Sequence, residues 1–211
     1  MSLKDLNLAE INQQLAGRSP GEIIGWASGL SVPTIATTSF GKNAAAMLHA
    51  LVEVDPTVPV VWVDTGYNLR DTYIVAEKLI KRLDLNIHVY SPAMTSERRN
   101  AIMGGIPTIE DEELHKAFTR QVKLDPFDRA LADFSPEIWL TGIRKEETEH
   151  RQSLDIVSWD ARGILKVAPF FEWSSEQLAE YMAQHELPSC RHYFDPTKVQ
   201  EGRECGMHTS V

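Results

Sequence analysis

A strand that runs directly into a small polar loop and then a helix is the feature that most restricts this sequence. The strand-like run covers 34–38, the loop is Ser39-Phe40-Gly41, and a helical segment follows over 42–52. Such a junction gathers backbone N–H groups and the positive end of a helix dipole, which favours an anion such as phosphate or sulfate. A turn with no binding role needs the same small residues, so both interpretations stay open for the loop alone.

The alternation of strand and helix continues along the first half of the chain. An apolar run over 59–63 has the composition of a buried parallel strand, a helical pattern follows over 70–83, and 86–90 supplies another strand. This β-α-β-α-β order predicts an α/β fold, a parallel twisted sheet with helices on both faces.

Three polar stretches follow strands in this pattern. They are the loop 39–41, the turn that starts at Asp64, and the basic loop from Arg144 to Arg151, which follows a strand predicted over 137–142. Ligands of open parallel sheets bind at the carboxyl ends of the strands, which share one edge of the sheet. We therefore expect the three stretches to line one crevice.

Helix-capping and helix-breaking residues predict the remaining helices before the strand expected over 137–142. Two helices precede the first strand, and the second begins with a capping box at 19–22. The middle of the chain, about 95–135, is predicted to be helical with breaks at 104–107 and before Pro126.

Turn and cap residues also organise the C-terminal part. A hairpin is predicted over 154–168, and Ser174 or Ser175 caps a last helix that ends before Pro188. An irregular tail follows over about 188–211. Length and composition predict one domain over 1–211.

Charge and cysteine content exclude several classes of function. The formal charge of −9 argues against a general nucleic-acid binder, although local positive charge still permits a small anionic ligand. No apolar run is long enough to cross a membrane and no secretion signal is recognisable, so we expect a cytoplasmic protein with no membrane partner. Two cysteines, Cys190 and Cys205, are too few for an iron–sulfur cluster or a four-thiolate zinc site.

Six segments occur in an order that resembles one enzyme family. They are TTSFGKNAAAMLH, VDTGY, KLDPFDRAL, GIRKEETEHR, KVAPFFEW and a terminal ECGMH. Together they extend over nearly the whole chain and are similar to the adenylyl-sulfate and phosphoadenylyl-sulfate reductases. The resemblance implies an adenine nucleotide alpha hydrolase-like fold, related to the ATP-pyrophosphatases, in a single nucleotide-binding reductase domain with a catalytic tail.

The resemblance also implies chemistry at a cysteine. In that family a cysteine in a C-terminal E-C-G-L-H motif attacks the sulfur of activated sulfate, and thioredoxin or glutaredoxin then releases sulfite from the S-sulfocysteine. Cys205 stands at this position. The thiolate is the attacking form, so its pKa must be lowered by positive charge from Arg203, His208 or the basic loop. Arg144 and Arg151 match the family's R-x6-R loop and would bind developing negative charge.

Further positions resemble the segments that bind the nucleotide substrate. They are Ser39, Phe40 and Gly41 of the phosphosulfate-binding loop, Asp64, Thr65 and Gly66 of the adenosine-side turn, and the basic pair Lys123 and Arg129. A plain turn at the second of these segments and a helix-surface role for the basic pair remain open.

Departures from the family pattern bear on the cofactor and the substrate. Members that use adenylyl sulfate usually hold an iron–sulfur cluster with a Cys-Cys pair and a C-x-x-C, whereas Phe118 and Thr119 replace the pair here and no C-x-x-C occurs. We therefore expect no cluster and favour a thioredoxin-dependent phosphoadenylyl-sulfate reductase of assimilatory sulfate reduction. A cluster-free enzyme that uses adenylyl sulfate remains the alternative.

A shortened segment between Pro188 and Cys205 leaves two further alternatives open. One is a divergent paralogue with another acceptor or substrate, in which Cys190 is a candidate resolving thiol. The other is a nucleotide-binding paralogue without turnover. A nucleotidyl-transfer enzyme of the ATP-pyrophosphatase type is disfavoured, because the loop 39–44 lacks a second Gly and an acidic residue for magnesium. A homodimer is common in the family and stays open here.

Overall fold

The structure, a computed structural model, describes residues 2–108, 110–198 and 207. The strands in these ranges are β1 (Thr34–Thr38), β2 (Val60–Val63), β3 (Ile87–Tyr90), β4 (Ile138–Leu140), β5 (Val157–Trp159) and β6 (Leu165–Val167). The α-helices are α1 (Leu8–Leu15), α2 (Pro20–Gly29), α3 (Ala44–Val54), α4 (Arg70–Leu83), α5 (Ser96–Met103), α6 (Glu112–Thr119), α7 (Asp125–Phe134), α8 (Glu149–Gln152) and α9 (Ser175–Gln184). None of the helices in the described ranges has both the length and the apolar character that a membrane span requires.

The strands form one sheet in the order β3-β2-β1-β4-β6-β5. All neighbouring pairs are parallel except β5 and β6, which pair antiparallel as the predicted hairpin. Ala36 of β1 pairs with Val60 on one side and Leu140 on the other, so the carboxyl ends of these three strands lie at one edge. The predicted α/β architecture is confirmed.

Helices cover both faces of the sheet, because alternate strand residues point in opposite directions. On one face α2, α3, α4 and α9 enclose the larger core, which includes Leu48 and Leu79. On the other face α7 packs Phe127 against Trp139, with ring centroids 5.1 Å apart. These two cores fix the sheet edge where the polar loops emerge.

Local capping explains where several helices begin. Ser19 and Glu22 form the predicted capping box, with Pro20 in the first turn of α2. Ser174 caps α9 by accepting a bond from the N–H of Gln177. α3 begins two residues later than predicted.

The predicted helix break before Pro126 is wrong. α6 continues through a π-helical segment, Arg120–Leu124, directly into α7. The wider π turn and the position of Pro126 at the start of α7 accommodate a residue that has no N–H to donate. The other predicted break is present, since α5 ends at Met103 and Gly104 has a φ of +82°.

Candidate active site

A cavity of about 750 Å³ opens at the carboxyl ends of β1, β2 and β4. Its wall includes Ser39 and Gly41 after β1, Thr65 after β2, and Arg144 and Arg151 after β4. The three polar stretches therefore meet, as the pattern of strands predicts. The topology that places strand ends side by side creates this cavity.

The loop after β1 is held in place by a phenylalanine that faces away from the cavity. Phe40 is fully buried and packs edge-on against Trp62, with ring centroids 4.9 Å apart. Its φ of +49° is uncommon for a bulky residue, and its N–H donates to Thr38 Oγ1 at 3.1 Å. Phe40 thus shapes the loop, while Ser39 and Gly41 face the cavity.

The N-terminus of α3 lies beside this loop. Lys42, Asn43 and Ala44 all line the cavity. Asn43 occupies the N-cap position and makes no side-chain cap bond within the described part of the chain. The N-terminal end of this eleven-residue helix therefore borders the cavity, where an anion would gain from the helix dipole.

Two arginines from the loop after β4 are buried in the cavity wall. Arg144 and Arg151 are only 5% and 4% exposed. Arg144 donates to the carboxylate of Glu146 and, at 3.2 Å, to the carbonyl of Trp173. Arg151 donates to Glu147 Oε2, the same oxygen that accepts the Arg144 backbone N–H at 3.1 Å. Glu147 thereby joins both arginines and brings a carboxylate to the cavity.

A third buried cation reaches the cavity from the π segment. Lys123 is 7% exposed, and its Nζ donates to Asp195 Oδ2 at 2.5 Å and to Thr197 Oγ1 at 3.4 Å. The other oxygen of Asp195 accepts from the N–H and the hydroxyl of Thr197, at 3.0 and 2.6 Å. Burial pushes the pKa of Asp195 upward, but the charge of Lys123 and these hydrogen bonds outweigh it, so the pKa lies below its ordinary value.

Residues 188–198, which we term the strap, border the cavity, and Tyr193, Asp195 and Lys198 are among the residues that line it. Ser189 donates to the carbonyl of Lys42 at 2.8 Å, and the Tyr193 ring lies beside Gly41. Asp71, in the first turn of α4, accepts from the backbone N–H of Arg191 at 2.9 Å. With the ion pair between Lys123 and Asp195, these contacts fasten the strap to three separate elements of the fold.

The turn after β2 is organised by one carboxylate. Asp64 Oδ1 accepts from the Gly66 N–H at 3.0 Å, from Asn68 Nδ2 at 2.9 Å and from the Tyr73 hydroxyl at 2.8 Å. Burial, followed by the bond to Asp64 and the charge of that carboxylate, raises the pKa of Tyr73 to about 12. Gly66 has a φ of +77°, a conformation that glycine adopts without steric cost.

A comparison with protein families decides what kind of domain this is. Residues 33–196 match the phosphoadenosine phosphosulfate reductase domain. The chain belongs to that family. A phosphoadenosine 5'-phosphosulfate reductase from Synechococcus is 37% identical to it over 187 residues, which cover 86% of this chain and 78% of that protein.

Solved structures agree with the fold of this reductase domain. The phosphoadenylyl-sulfate reductase from Candida auris, in a phosphate complex, superposes with a TM-score of 0.78 at 24% identity and covers 90% of this chain and 91% of that one. An FMN adenylyltransferase from Candida glabrata in complex with ATP gives a TM-score of 0.59 at 13% identity, covering 90% of this chain and 60% of that one. The two likenesses confirm the predicted adenine nucleotide alpha hydrolase-like fold.

The structure brings together some of the predicted site residues of the reductase domain. Those in the cavity wall are Ser39, Gly41, Thr65, Lys123, Arg144 and Arg151. Phe40, Asp64 and Gly66 shape the loops behind the wall. Arg129 is exposed and donates to the carbonyl of Ser91, and neither residue lines the cavity.

The two predicted catalytic residues of the tail, Cys205 and His208, lie outside the described residues. Met207, between them in the sequence, is described and buried in the cavity wall. Arg162 Nη1 donates to its carbonyl at 3.4 Å, and the Arg162 guanidinium lies 5.5 Å from the centre of the Phe127 ring. This contact fixes one point of the terminal motif at the cavity.

Cys190 lies in the strap, apart from the cavity lining. It is buried, and its Sγ is 2.9 Å from the carbonyl of His192 and 3.5 Å from Thr72 Oγ1. Within the described ranges, no group of three or more His, Cys, Asp or Glu side chains is arranged to hold a metal ion.

Sequence reasoning missed two acidic residues of the site. The prediction for the loop over 144–151 rests on its basic residues and omits Glu147, and Asp195 lies outside the six segments that carry the resemblance. The sequence does carry a local signal for the second, because Asp-Pro-Thr over 195–197 is typical of a turn closed by an Asp side chain. Its ion pair with Lys123, 72 residues away, has no such signal.

Proposed function

We propose that this chain reduces phosphoadenylyl sulfate to sulfite and releases adenosine 3',5'-bisphosphate, in assimilatory sulfate reduction. Membership of the reductase family and the similarity to a phosphoadenosine 5'-phosphosulfate reductase from Synechococcus support this substrate and reaction. The structure adds a cavity whose chemistry suits a nucleotide that carries several negative charges.

The observation that carries the proposal is the set of buried cations in the cavity wall. Lys123, Arg144 and Arg151 lie beside the loop after β1 and the start of α3. Guanidinium groups bind two oxygens of a phosphate or sulfate at once, and buried cations are screened less than exposed ones. In a chain with a formal charge of −9, such a concentration of positive charge favours an anionic ligand at this point.

The position of Met207 supports Cys205 as the nucleophile. Met207 lines the cavity wall and follows Cys205 by two residues in the sequence. Buried arginines nearby would lower the pKa of the thiol and favour the reactive thiolate. His208, the next residue after Met207, is proposed to assist in the same way.

The proposed reaction has two stages. The Cys205 thiolate forms a bond to the sulfur of the sulfo group while the bond from that sulfur to the phosphate oxygen breaks, and the electron pair leaves with adenosine 3',5'-bisphosphate. Arg144 and Arg151 would stabilise charge on the departing phosphate. One thiol of reduced thioredoxin then attacks the Cys205 sulfur and expels sulfite, and its second thiol resolves the mixed disulfide. Thioredoxin thus supplies both electrons.

The proposal includes partners that follow from the resemblance. Thioredoxin or glutaredoxin is the electron donor, the reaction takes place in the cytoplasm without an iron–sulfur cluster, and a homodimer is compatible with the chemistry. We propose substrate contacts for Ser39, Gly41, Thr65 and Lys123, with Phe40, Asp64 and Gly66 holding the loops. Arg129 is left out of the proposed contacts because it is not among the residues that line the cavity.

Intact-protein mass spectrometry tests the proposal. The reduced chain is mixed with phosphoadenylyl sulfate or with adenylyl sulfate, and then with reduced thioredoxin. We expect a sulfonate adduct with phosphoadenylyl sulfate that disappears when thioredoxin is added, is missing in Cys205→Ser and persists in the matched control Cys190→Ser.

Each alternative gives a different result. An adduct with adenylyl sulfate alone would identify that nucleotide as the substrate. Binding of either nucleotide without any adduct, in folded and reduced protein, would indicate a paralogue without turnover and would overturn the proposed function.

A further inference from the structure

The Asp195 carboxylate contacts Lys123 in the cavity wall in the way that an oxyanion of a ligand would. Its Oδ2 atom lies 2.5 Å from Lys123 Nζ, and both residues line the cavity. Burial disfavours the charged carboxylate, but Lys123 and the hydrogen bonds from Thr197 keep its pKa below the ordinary value, so Asp195 is an anion at neutral pH. A phosphate or sulfate oxygen that approaches Lys123 therefore competes with a negative charge that is already in place.

The two oxygens of the Asp195 carboxylate have different partners. Oδ2 accepts from Lys123, whereas Oδ1 accepts from the Thr197 N–H at 3.0 Å and from the Thr197 hydroxyl at 2.6 Å. The bonds from Thr197 span two residues, so they lie within the strap and can move with it. A carboxylate that leaves Lys123 keeps both of these donors, which lowers the cost of separating the pair.

The arginines of the cavity are paired in a different way. Arg144 and Arg151 both pair with Glu147, which lies between them in the same short loop. Asp195 is 72 residues from Lys123 and belongs to the strap. Among the buried cations in the described part of the cavity wall, Lys123 is therefore the one whose carboxylate partner connects ligand binding to the strap.

The strap has further attachments that do not depend on this ion pair. Ser189 donates to the carbonyl of Lys42 at 2.8 Å, and Asp71 accepts from the Arg191 N–H at 2.9 Å. These bonds hold the first part of the strap beside the starts of α3 and α4. Separation of the ion pair removes the contact between residue 195 and the π segment and leaves the bonds at 189 and 191 intact.

We propose that Asp195 occupies an anion subsite at Lys123 and that an oxyanion of the bound nucleotide displaces it, which releases this part of the strap from the π segment. The subsite takes a phosphate or sulfate group. The exchange rests on the proposed function only for the identity of the natural ligand, phosphoadenylyl sulfate. Without a ligand the ion pair lowers the affinity of the cavity for anions, because binding at Lys123 requires chains in which the pair is separated.

Binding of inorganic phosphate to variants of the full chain tests the exchange without any need for turnover. Asp195→Asn removes the competing charge and keeps one oxygen for the donors of Thr197. The double variant Lys123→Gln with Asp195→Asn removes both charges of the pair. Asp160→Asn is the matched control, because the Asp160 side chain is 5% exposed, pairs with Arg162 and accepts backbone N–H bonds in its own turn, but does not line the cavity.

Calorimetry at fixed ionic strength measures the Kd of phosphate. We expect Asp195→Asn to lower this Kd at least about fivefold, because the ligand no longer competes with a carboxylate. The double variant should bind phosphate no more tightly than the wild type, because the gain requires the charge of Lys123. Asp160→Asn should stay within about twofold of the wild type, since a charge outside the cavity is screened by salt.

Hydrogen exchange of the backbone amides over 195–198, followed by mass spectrometry, measures release of the strap. Saturating phosphate should accelerate this exchange in the wild type, because the ion pair that holds residue 195 is separated. In Asp195→Asn the same amides should exchange fast without any ligand, since an amide side chain offers one oxygen where the carboxylate offers two.

An unchanged, weaker or absent affinity for phosphate in Asp195→Asn would overturn the exchange and identify the ion pair as a fixed structural contact. Equal gains in Asp195→Asn and Asp160→Asn would also overturn it, because total charge would then explain both. If Asp195→Asn does not fold, the wild type decides, and hydrogen exchange over 195–198 that saturating phosphate leaves unchanged overturns the proposal. Formation of the sulfonate adduct tests the proposed function separately, so an exchange that fails in a chain that forms the adduct defeats this inference alone.

Discussion

Tyr73 and Asp64 are joined by a hydrogen bond of 2.8 Å that connects the first turn of α4 to the turn after β2. The hydroxyl is the donor, and the carboxylate that accepts it also holds Gly66 and Asn68. Because burial and this carboxylate raise the pKa of Tyr73 to about 12, the hydroxyl keeps its proton well above neutral pH. The contact thus ties the helix to a loop that we propose lies on the adenosine side of the site.

Tyr73→Phe is expected to lower the free energy of unfolding by about 1 kcal/mol at pH 7, the usual net value of one hydrogen bond. Because the pKa is raised, Tyr73 loses its proton at a lower pH in the unfolded chain than in the folded one. The stabilisation by this hydrogen bond is therefore complete below about pH 10 and declines as the pH rises toward about 12. Urea unfolding of the wild type and the variant, repeated between pH 7 and pH 11 at steps of about one pH unit, measures the difference in their free energies of unfolding. Tyr67→Phe, which loses a more exposed bond to Asn100, is the control. A difference that grows with pH would contradict the assigned pKa.

Arg151→Gln is expected to weaken binding of adenosine 3',5'-bisphosphate at least tenfold, because it removes a buried cation from the cavity and leaves Glu147 with less compensation. Calorimetry at fixed ionic strength measures the change. Arg18→Gln makes the same substitution in an exposed pair with Glu22 and should bind the nucleotide like the wild type. Equal losses in the two variants would show that total charge, and not the cavity, governs binding.

Glu147→Gln is expected to have the opposite effect on affinity. The amide keeps the shape of the side chain and an oxygen for Arg151, while the negative charge that faces the cavity disappears. We predict a Kd for inorganic phosphate that falls a few-fold, on the order of 1 kcal/mol or less. Weaker binding would mean that the charge of Glu147 is needed to orient the two arginines.

Gly66→Ala and Gly163→Ala form a matched pair of substitutions. Both glycines have positive φ, +77° and +79°, so an added Cβ costs each about 1 to 2 kcal/mol of stability. A Cβ at position 163 meets no other atom within 4 Å, and one at position 66 makes ordinary contact with Ser96 at 3.5 Å. We expect similar losses in thermal stability, but weaker nucleotide binding only for Gly66→Ala. Unchanged binding in both would remove the turn after β2 from the proposed site.

Most of the fold follows from local patterns in the sequence. The apolar run before Asp64 and the capping box at Ser19 act over a few residues, so strand ends and helix starts are readable without the tertiary structure. Once the strands are parallel, the common edge of their carboxyl ends follows, and so does the meeting of Ser39, Thr65 and Arg144.

The features that the sequence does not predict depend on contacts between residues far apart in the chain. The sequence is compatible with Lys123 as an exposed basic residue of a helix. In the structure it pairs with Asp195, and that pairing depends on the path of the strap. Phe40 stands in a loop with a binding signature, yet its side chain belongs to the core against Trp62. Pro126 indicates a break in a regular α-helix, whereas the chain adopts a wider π turn just before it.

That wider turn also limits how the length of the chain can change. An α-helix rotates by about 100° per residue, so removing one residue from Arg120–Leu124 to restore regular winding would turn α6 relative to α7 by about that angle. Phe118, 5.4 Å from the Tyr67 ring, and Phe127, against Trp139, could not both keep their burial after such a rotation. Relatives that conserve both packing partners are therefore expected to conserve the residue count between them, and gaps in an alignment should avoid this helix.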